Sequence, residues 1–249
     1  MIRVLRYSSD IHLEMSQDIE TLPHVAALYN FTPLENHRGN HEYYNIQSTH
    51  GSNKPKTIDE INIELDKLCA QFKNVHFLNN KTFQLDEFKI IGSTLWSHVP
   101  ESSRQAVARG LNDYRLIGVS DPITNERRPA SVADTNQLHK RAVQFIEREL
   151  QNATNCILLT HHAPLYSMPR ENKYLCSPHY LDSDINSAFH TDLNFLVKPP
   201  VLLWIYGHTH YTSKFIHNGV VIASNQVGYD KSPFHYQVNE EIVLGYAKI

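Results

Sequence analysis

Short apolar runs alternate along this chain with stretches whose apolar positions recur every three or four residues. Ile2–Tyr7 reads as a first strand. Thr57 and Glu60 have capping-box spacing, and after them Ile58, Ile61, Leu65, Leu68 and Phe72 trace one face of a helix. A second helix is expected to start near Asp134 or Thr135 and to bury Leu138, Ala142, Phe145, Ile146 and Leu150. Val75–Leu78, Phe83–Leu85 and Phe88–Ile91 have strand character, and Asp86-Glu87 joins the last two as a tight turn. Cys156–Thr160 and Val201–Tyr206 are solid apolar runs, as in strands buried on both faces. Lys214–His217 and Val220–Ala223 flank Asn218-Gly219, a two-residue hairpin signal, and Ile242–Tyr246 reads as a closing strand. This alternation predicts an α/β architecture. No repeat or flexible linker divides residues 1–249, so a single domain is expected. Residues 98–130 and 165–190 read as loops, where substrate contacts commonly lie.

Composition narrows the function classes. With 41% hydrophobic and 20% charged residues the chain has the makeup of a folded soluble protein. No apolar run is long enough to span a bilayer. The arginine-broken N-terminus does not resemble a secretory signal, so a cytoplasmic location is expected. A net charge of −3 without a basic run gives no nucleic-acid footprint. Three cysteines, Cys69, Cys156 and Cys176, build neither a disulfide framework nor a thiolate zinc site. Histidine is the unusual residue, with 16 copies.

Their placement carries the chemistry. Asp10 and His12 follow the first strand and, by alternation, share one side, roughly 6–7 Å apart along the chain. His161 and His162 follow the run Cys156–Thr160, and His208 and His210 follow Val201–Tyr206. Asn40 and His41, in Gly39-Asn40-His41-Glu42, add an amide oxygen and another imidazole. Carboxylate and imidazole donors together suit Zn, Mn or Fe. In open α/β sheets, sites assemble where strands end. The other ten histidines (24, 37, 50, 76, 98, 139, 179, 190, 217 and 235) fit no ligand spacing and read as surface, helix-face or loop residues.

Asp-x-His, Gly-Asn-His-Glu, His before x-Pro and Gly-His-Thr-His, in that order, resemble the signature of calcineurin-like metallophosphoesterases. The resemblance implies a four-layer α-β-β-α sandwich of two mixed β-sheets. It also implies two divalent metal ions and a phosphate-ester substrate, monoester or diester. By the same resemblance, Asp10, His12 and His210 would hold one metal. Asn40, His208 and one of His161 or His162 would hold the other. His-x-Pro spacing favours His162, whereas His161 sits nearer the strand. His41 corresponds to the histidine that protonates the leaving-group oxygen.

One family motif is missing. The Gly-Asp-x-x-Asp segment, whose first aspartate bridges the metals, has no counterpart, because the chain contains no Gly-Asp dipeptide. Only residues 13–38 separate His12 from Gly39, so a strand–helix–strand segment is expected to be deleted between residues 15 and 38. Two dications ~3.7 Å apart repel by roughly 18 kcal/mol at an effective dielectric near 20. Without the bridge, Asp10 is the one anionic ligand of the implied set. A single ion at Asp10, His12 and His210, or none, and impaired turnover are therefore expected, with a catalytically inactive binding or regulatory scaffold as the alternative. The deletion also leaves strand edges to cover, and homodimerisation or swapping with a second copy is the expected remedy.

Overall fold

Runs such as Cys-Ile-Leu-Leu-Thr can satisfy their backbone groups while excluding water only by pairing side by side. In the computed structural model, which describes residues 3–6, 43–44, 56–73, 75–226, 237 and 241–244, six strands do so in one mixed sheet. The strands are β2 (Lys81–Leu85), β3 (Phe88–Ser93), β6 (Cys156–Thr160), β7 (Val201–Ile205), β8 (Ser213–His217) and β9 (Val220–Ser224). Their order is β2-β3-β6-β7-β9-β8. The inner four run parallel, and the two edge strands are antiparallel hairpin partners of β3 and β9. All four parallel strands therefore end at the same edge of the sheet.

Both faces of the sheet are buried, and the period of two sorts the side chains. Ile91, Leu158, Trp204 and Ile222 pack on one face with Ala142 and Ile146 of α4 (Val132–Leu150). Ile90, Ile157, Leu203, Ile205 and Ala223 pack on the other, where Ile242 joins them. Ile242 belongs to β10 (Glu241–Leu244), which pairs antiparallel with β1 (Arg3–Arg6). The layers seen are thus helix, six-stranded sheet and a two-stranded pair, in keeping with a metallophosphoesterase sandwich. Among the described residues, the second sheet of the expected four-layer arrangement consists of β1 and β10 alone.

Most expected elements form, and the differences have local causes. Helix α1 (Ile58–Cys69) has the full Thr57/Glu60 capping box, but it ends before Phe72, which is half exposed. Helix α4 begins earlier than expected because Ser131 and Asp134 form a second capping box. Val75–Leu78 is not a strand. Its apolar residues pack locally instead, with His76 stacked on Phe83 at 4.0 Å and Leu78 buried beneath β3. The 98–130 loop contains two short helices, α2 (Arg104–Gly110) and α3 (Asp113–Leu116), and a small hairpin of β4 (Gly118–Ser120) and β5 (Arg127–Pro129).

The start of α4 carries a charge network. Arg128 donates to both Asp134 oxygens at 2.7 and 2.9 Å and to Asp121 at 3.2 Å. Burial opposes ionisation of Asp134, but the hydrogen bonds from Arg128 and Ser131 prevail and lower its pKa to about 2. A carboxyl lowered on folding stabilises the fold above pH ~4 and loses that contribution as pH falls toward ~2. Discounted for partial exposure, Arg128→Met should destabilise the fold by about 1 kcal/mol at pH 7. Urea unfolding checks this, and a double-mutant cycle with Asp134→Asn should return most of the loss as coupling.

Candidate metal centre

The site is built on the edge where the parallel strands end. Beyond β6 the ladder continues for two residues: His161 N donates to Ser93 O and His162 N to Thr94 O, both at 3.3 Å. Gly207 N donates to His161 O at 2.9 Å, which ties the segment after β7 to the segment after β6. Thr160 Oγ1 donates to His162 O at 2.8 Å while accepting from Trp204 Nε1 at 2.9 Å. The two histidine segments are therefore held by main-chain geometry, independently of any ligand.

His161, His162 and His208 come together there. One ligand atom from each lies within 4.8 Å of the others, and all three residues are buried. The rings of His162 and His208 are 4.3 Å apart, those of His161 and His208 4.7 Å. Phe189 stacks on His208 at 4.6 Å. His162 Nδ1 lies 2.9 Å from Ser97 Oγ, and its Nε2, buried, has no hydrogen-bond partner among the described residues. Burial first, then the neighbouring His161 and His139, hold His162 well below the ordinary histidine pKa. A neutral imidazole is the metal-binding form. The trio thus fits a divalent ion by position, by protonation and by the unmet capacity of His162 Nε2.

The remaining sequence candidates divide. His210 is half-buried and lies outside the trio. Its backbone has φ +50°, that of His208 +69°, so both ligand-type residues adopt left-handed backbone although neither is a glycine. Asp10, His12, Asn40 and His41 lie outside the described residues. His161 and His162 both lie beside His208, so ring geometry does not choose between them.

Sequence reasoning misses the supporting residues. Gln226, just past β9, accepts from His210 N at 2.6 Å and donates to Thr209 Oγ1 at 3.0 Å and Tyr211 O at 3.1 Å. It clamps the Gly-His-Thr-His loop from the next strand over. The available signal is its position after a buried strand, the same position that singles out the histidines. Two of the histidines that fit no ligand spacing, His139 and His190, prove to be buried.

Residues 9–212 match the family described as Calcineurin-like phosphoesterase. The chain belongs to this family. A relative from Acanthamoeba polyphaga mimivirus, Uncharacterized protein L509, is 36% identical, and the match covers 92% of each chain. That alignment runs over 265 positions although only 92% of this chain's 249 residues take part, so the viral protein has residues there that this chain lacks. The crystal structure of a phosphopantetheinyl hydrolase from Mycobacterium tuberculosis is similar in fold, with a TM-score of 0.50 at 18% identity. It matches 77% of this chain and 67% of that one. Family membership implies a metal-dependent hydrolase acting on a phosphate ester. No helix among the described residues is long and apolar enough to cross a membrane.

Proposed function

We propose that this calcineurin-like chain, as one domain, hydrolyses a phosphate ester at a centre made from His161, His162 and His208. Asp10, His12, Asn40 and His210 are further candidate ligands, and His41 protonates the leaving-group oxygen. The observation that carries the proposal is the buried trio of imidazoles within 4.8 Å, with one ring nitrogen unpartnered. Buried polar atoms without partners are rare in folded proteins and call for an explanation, of which a bound ion is one.

When bound, a Zn, Mn or Fe ion would polarise the phosphate oxygens and lower the pKa of the attacking water. The chain's own residues supply the setting. Ser97 orients His162, Gln226 fixes the loop bearing His208 and His210, and Phe189 shields one face of His208 from water. Tyr43, which follows the Gly-Asn-His-Glu segment in the sequence, has its ring 6.1 Å from Trp96, which in turn lies 5.4 Å from His162. Asn40 is three residues from Tyr43, a reach of at most ~11 Å.

The lack of a bridging aspartate favours one ion per chain over two, and slow turnover over fast. The longer alignment with the viral relative supports an internal shortening in this chain. Elemental analysis of the purified protein should find about one ion per chain. Added Mn should stimulate cleavage of bis-p-nitrophenyl phosphate. A chain that takes up no metal and cleaves nothing would instead be a non-catalytic scaffold, the reading the missing aspartate also favours.

A further inference from the structure

His139 lies on the inner side of α4, only 6% exposed. Its Nδ1 is 3.2 Å from Leu95 O and 3.2 Å from Trp96 O. With two carbonyls as neighbours, Nδ1 carries the proton and donates to both. Those carbonyls belong to an uncommon turn. Leu95 has φ +67° and Trp96 φ +52°, consecutive left-handed residues with bulky side chains and no glycine. Such a conformation persists only when its surroundings hold it. Ser93 Oγ holds the entry, accepting from Leu95 N at 2.9 Å, and His139 holds the two carbonyls. The next residue is Ser97, buried, with its Oγ 2.9 Å from His162 Nδ1.

We infer that His139 and Ser97 are positioning residues for the metal centre: His139 pins the left-handed Leu95–Trp96 turn, and the turn delivers Ser97 to His162 Nδ1. The inference rests on the metal-dependent reading above. With Nε2 engaged by a metal, His162 must carry its proton on Nδ1, and Ser97 Oγ is the acceptor placed to receive it. A partner on the second ring nitrogen fixes the tautomer and the ring plane of a ligand histidine. Ser97 does this directly. His139 does it through a turn that would otherwise be free to relax toward right-handed geometry, carrying Ser97 away.

The test uses full-length protein labelled with ¹⁵N-histidine, followed by imidazole NMR and by zinc titration against a chelator. Wild-type protein should show His162 in its Nδ1–H form. Ser97→Ala and His139→Leu should mix the tautomers and weaken zinc binding by about 10–100-fold. The side-chain nitrogen of asparagine is as many bonds from Cα as histidine Nδ1, whereas that of glutamine is one bond further. His139→Asn should therefore restore most of the affinity, and His139→Gln should not. A folded His139→Leu protein with wild-type tautomer and zinc affinity overturns the inference, as does equal behaviour of the Asn and Gln variants. Ser97→Ala removes a single hydroxyl and keeps the test open should His139→Leu fail to fold. Wild-type protein that takes up no zinc overturns the metal reading instead, and the tautomer signal still decides the positioning role. Zinc binding without ester cleavage overturns only the hydrolytic reading.

Discussion

His208→Ala should weaken metal binding by at least about 100-fold, near 2.8 kcal/mol, and abolish phosphoester cleavage. His208 is the residue that joins the segment after β7 to the pair after β6, with both imidazoles of that pair within 4.7 Å of its ring. Removing it leaves His161 and His162 facing a gap. The backbone there, at φ +69°, disfavours any residue with a side-chain carbon, histidine somewhat less than alanine, so the substitution adds only a small main-chain cost. Buried imidazoles crowded together are a poor source of stability without an ion, so the metal-free variant should melt close to the wild type. The difference emerges on loading. Metal at ~100 times its Kd stabilises the native state by about 2.7 kcal/mol, which in a chain of this size is a rise of roughly 5–10 °C. Differential scanning fluorimetry with and without zinc should show that rise in the wild type and in His217→Ala, a half-buried histidine outside the trio. His208→Ala should not show it. An equal rise in His208→Ala would remove the trio from the metal centre.

The second large effect is acid lability. Burial lowers His190 to about 4, and its two ring nitrogens have no hydrogen-bond partner among the described residues. Burial also lowers His139 and His162. The sign follows from proton counting. Above pH ~6.5 these groups are neutral whether the chain is folded or not, and they contribute nothing to the pH dependence. As pH falls below that value the unfolded chain takes up protons that the native state refuses, and stability is lost. His190 alone should account for about 2 kcal/mol between pH 7.5 and pH 5. The other two add to it. Urea unfolding at the two pH values should show a fall of several kcal/mol in the wild type and one smaller by about 2 kcal/mol in His190→Leu. A midpoint independent of pH in this range would mean that these rings are not buried as neutral groups.

Part of this architecture is legible in the amino-acid sequence. Strand β6 matches its apolar run residue for residue, and Asn218-Gly219 turns between β8 and β9 with φ of +49° and +79°, as that dipeptide favours. The histidines at strand ends are legible because chemistry there is written in residue type and position. What escapes depends on contacts distant along the chain or on unmarked backbone. Ser97 meets a histidine 65 residues away. The turn that brings it there, Leu95–Trp96, is left-handed but contains neither glycine nor asparagine, the usual signs of such geometry. His139 reads as one polar residue on a helix face, because nothing local marks the carbonyls it serves. Val75–Leu78 has strand composition but packs without entering a ladder.

The parallel arrangement gives the molecule a front and a back. Every centre-forming segment described leaves the sheet at one edge, whereas the Asn218-Gly219 turn lies at the opposite edge, where β8 ends and β9 begins. A side-chain carbon added at Gly219 would meet nothing within 4 Å. That turn is a natural handle: a fluorophore or a surface tether attached there would report on or hold the protein while leaving the reactive edge facing solution.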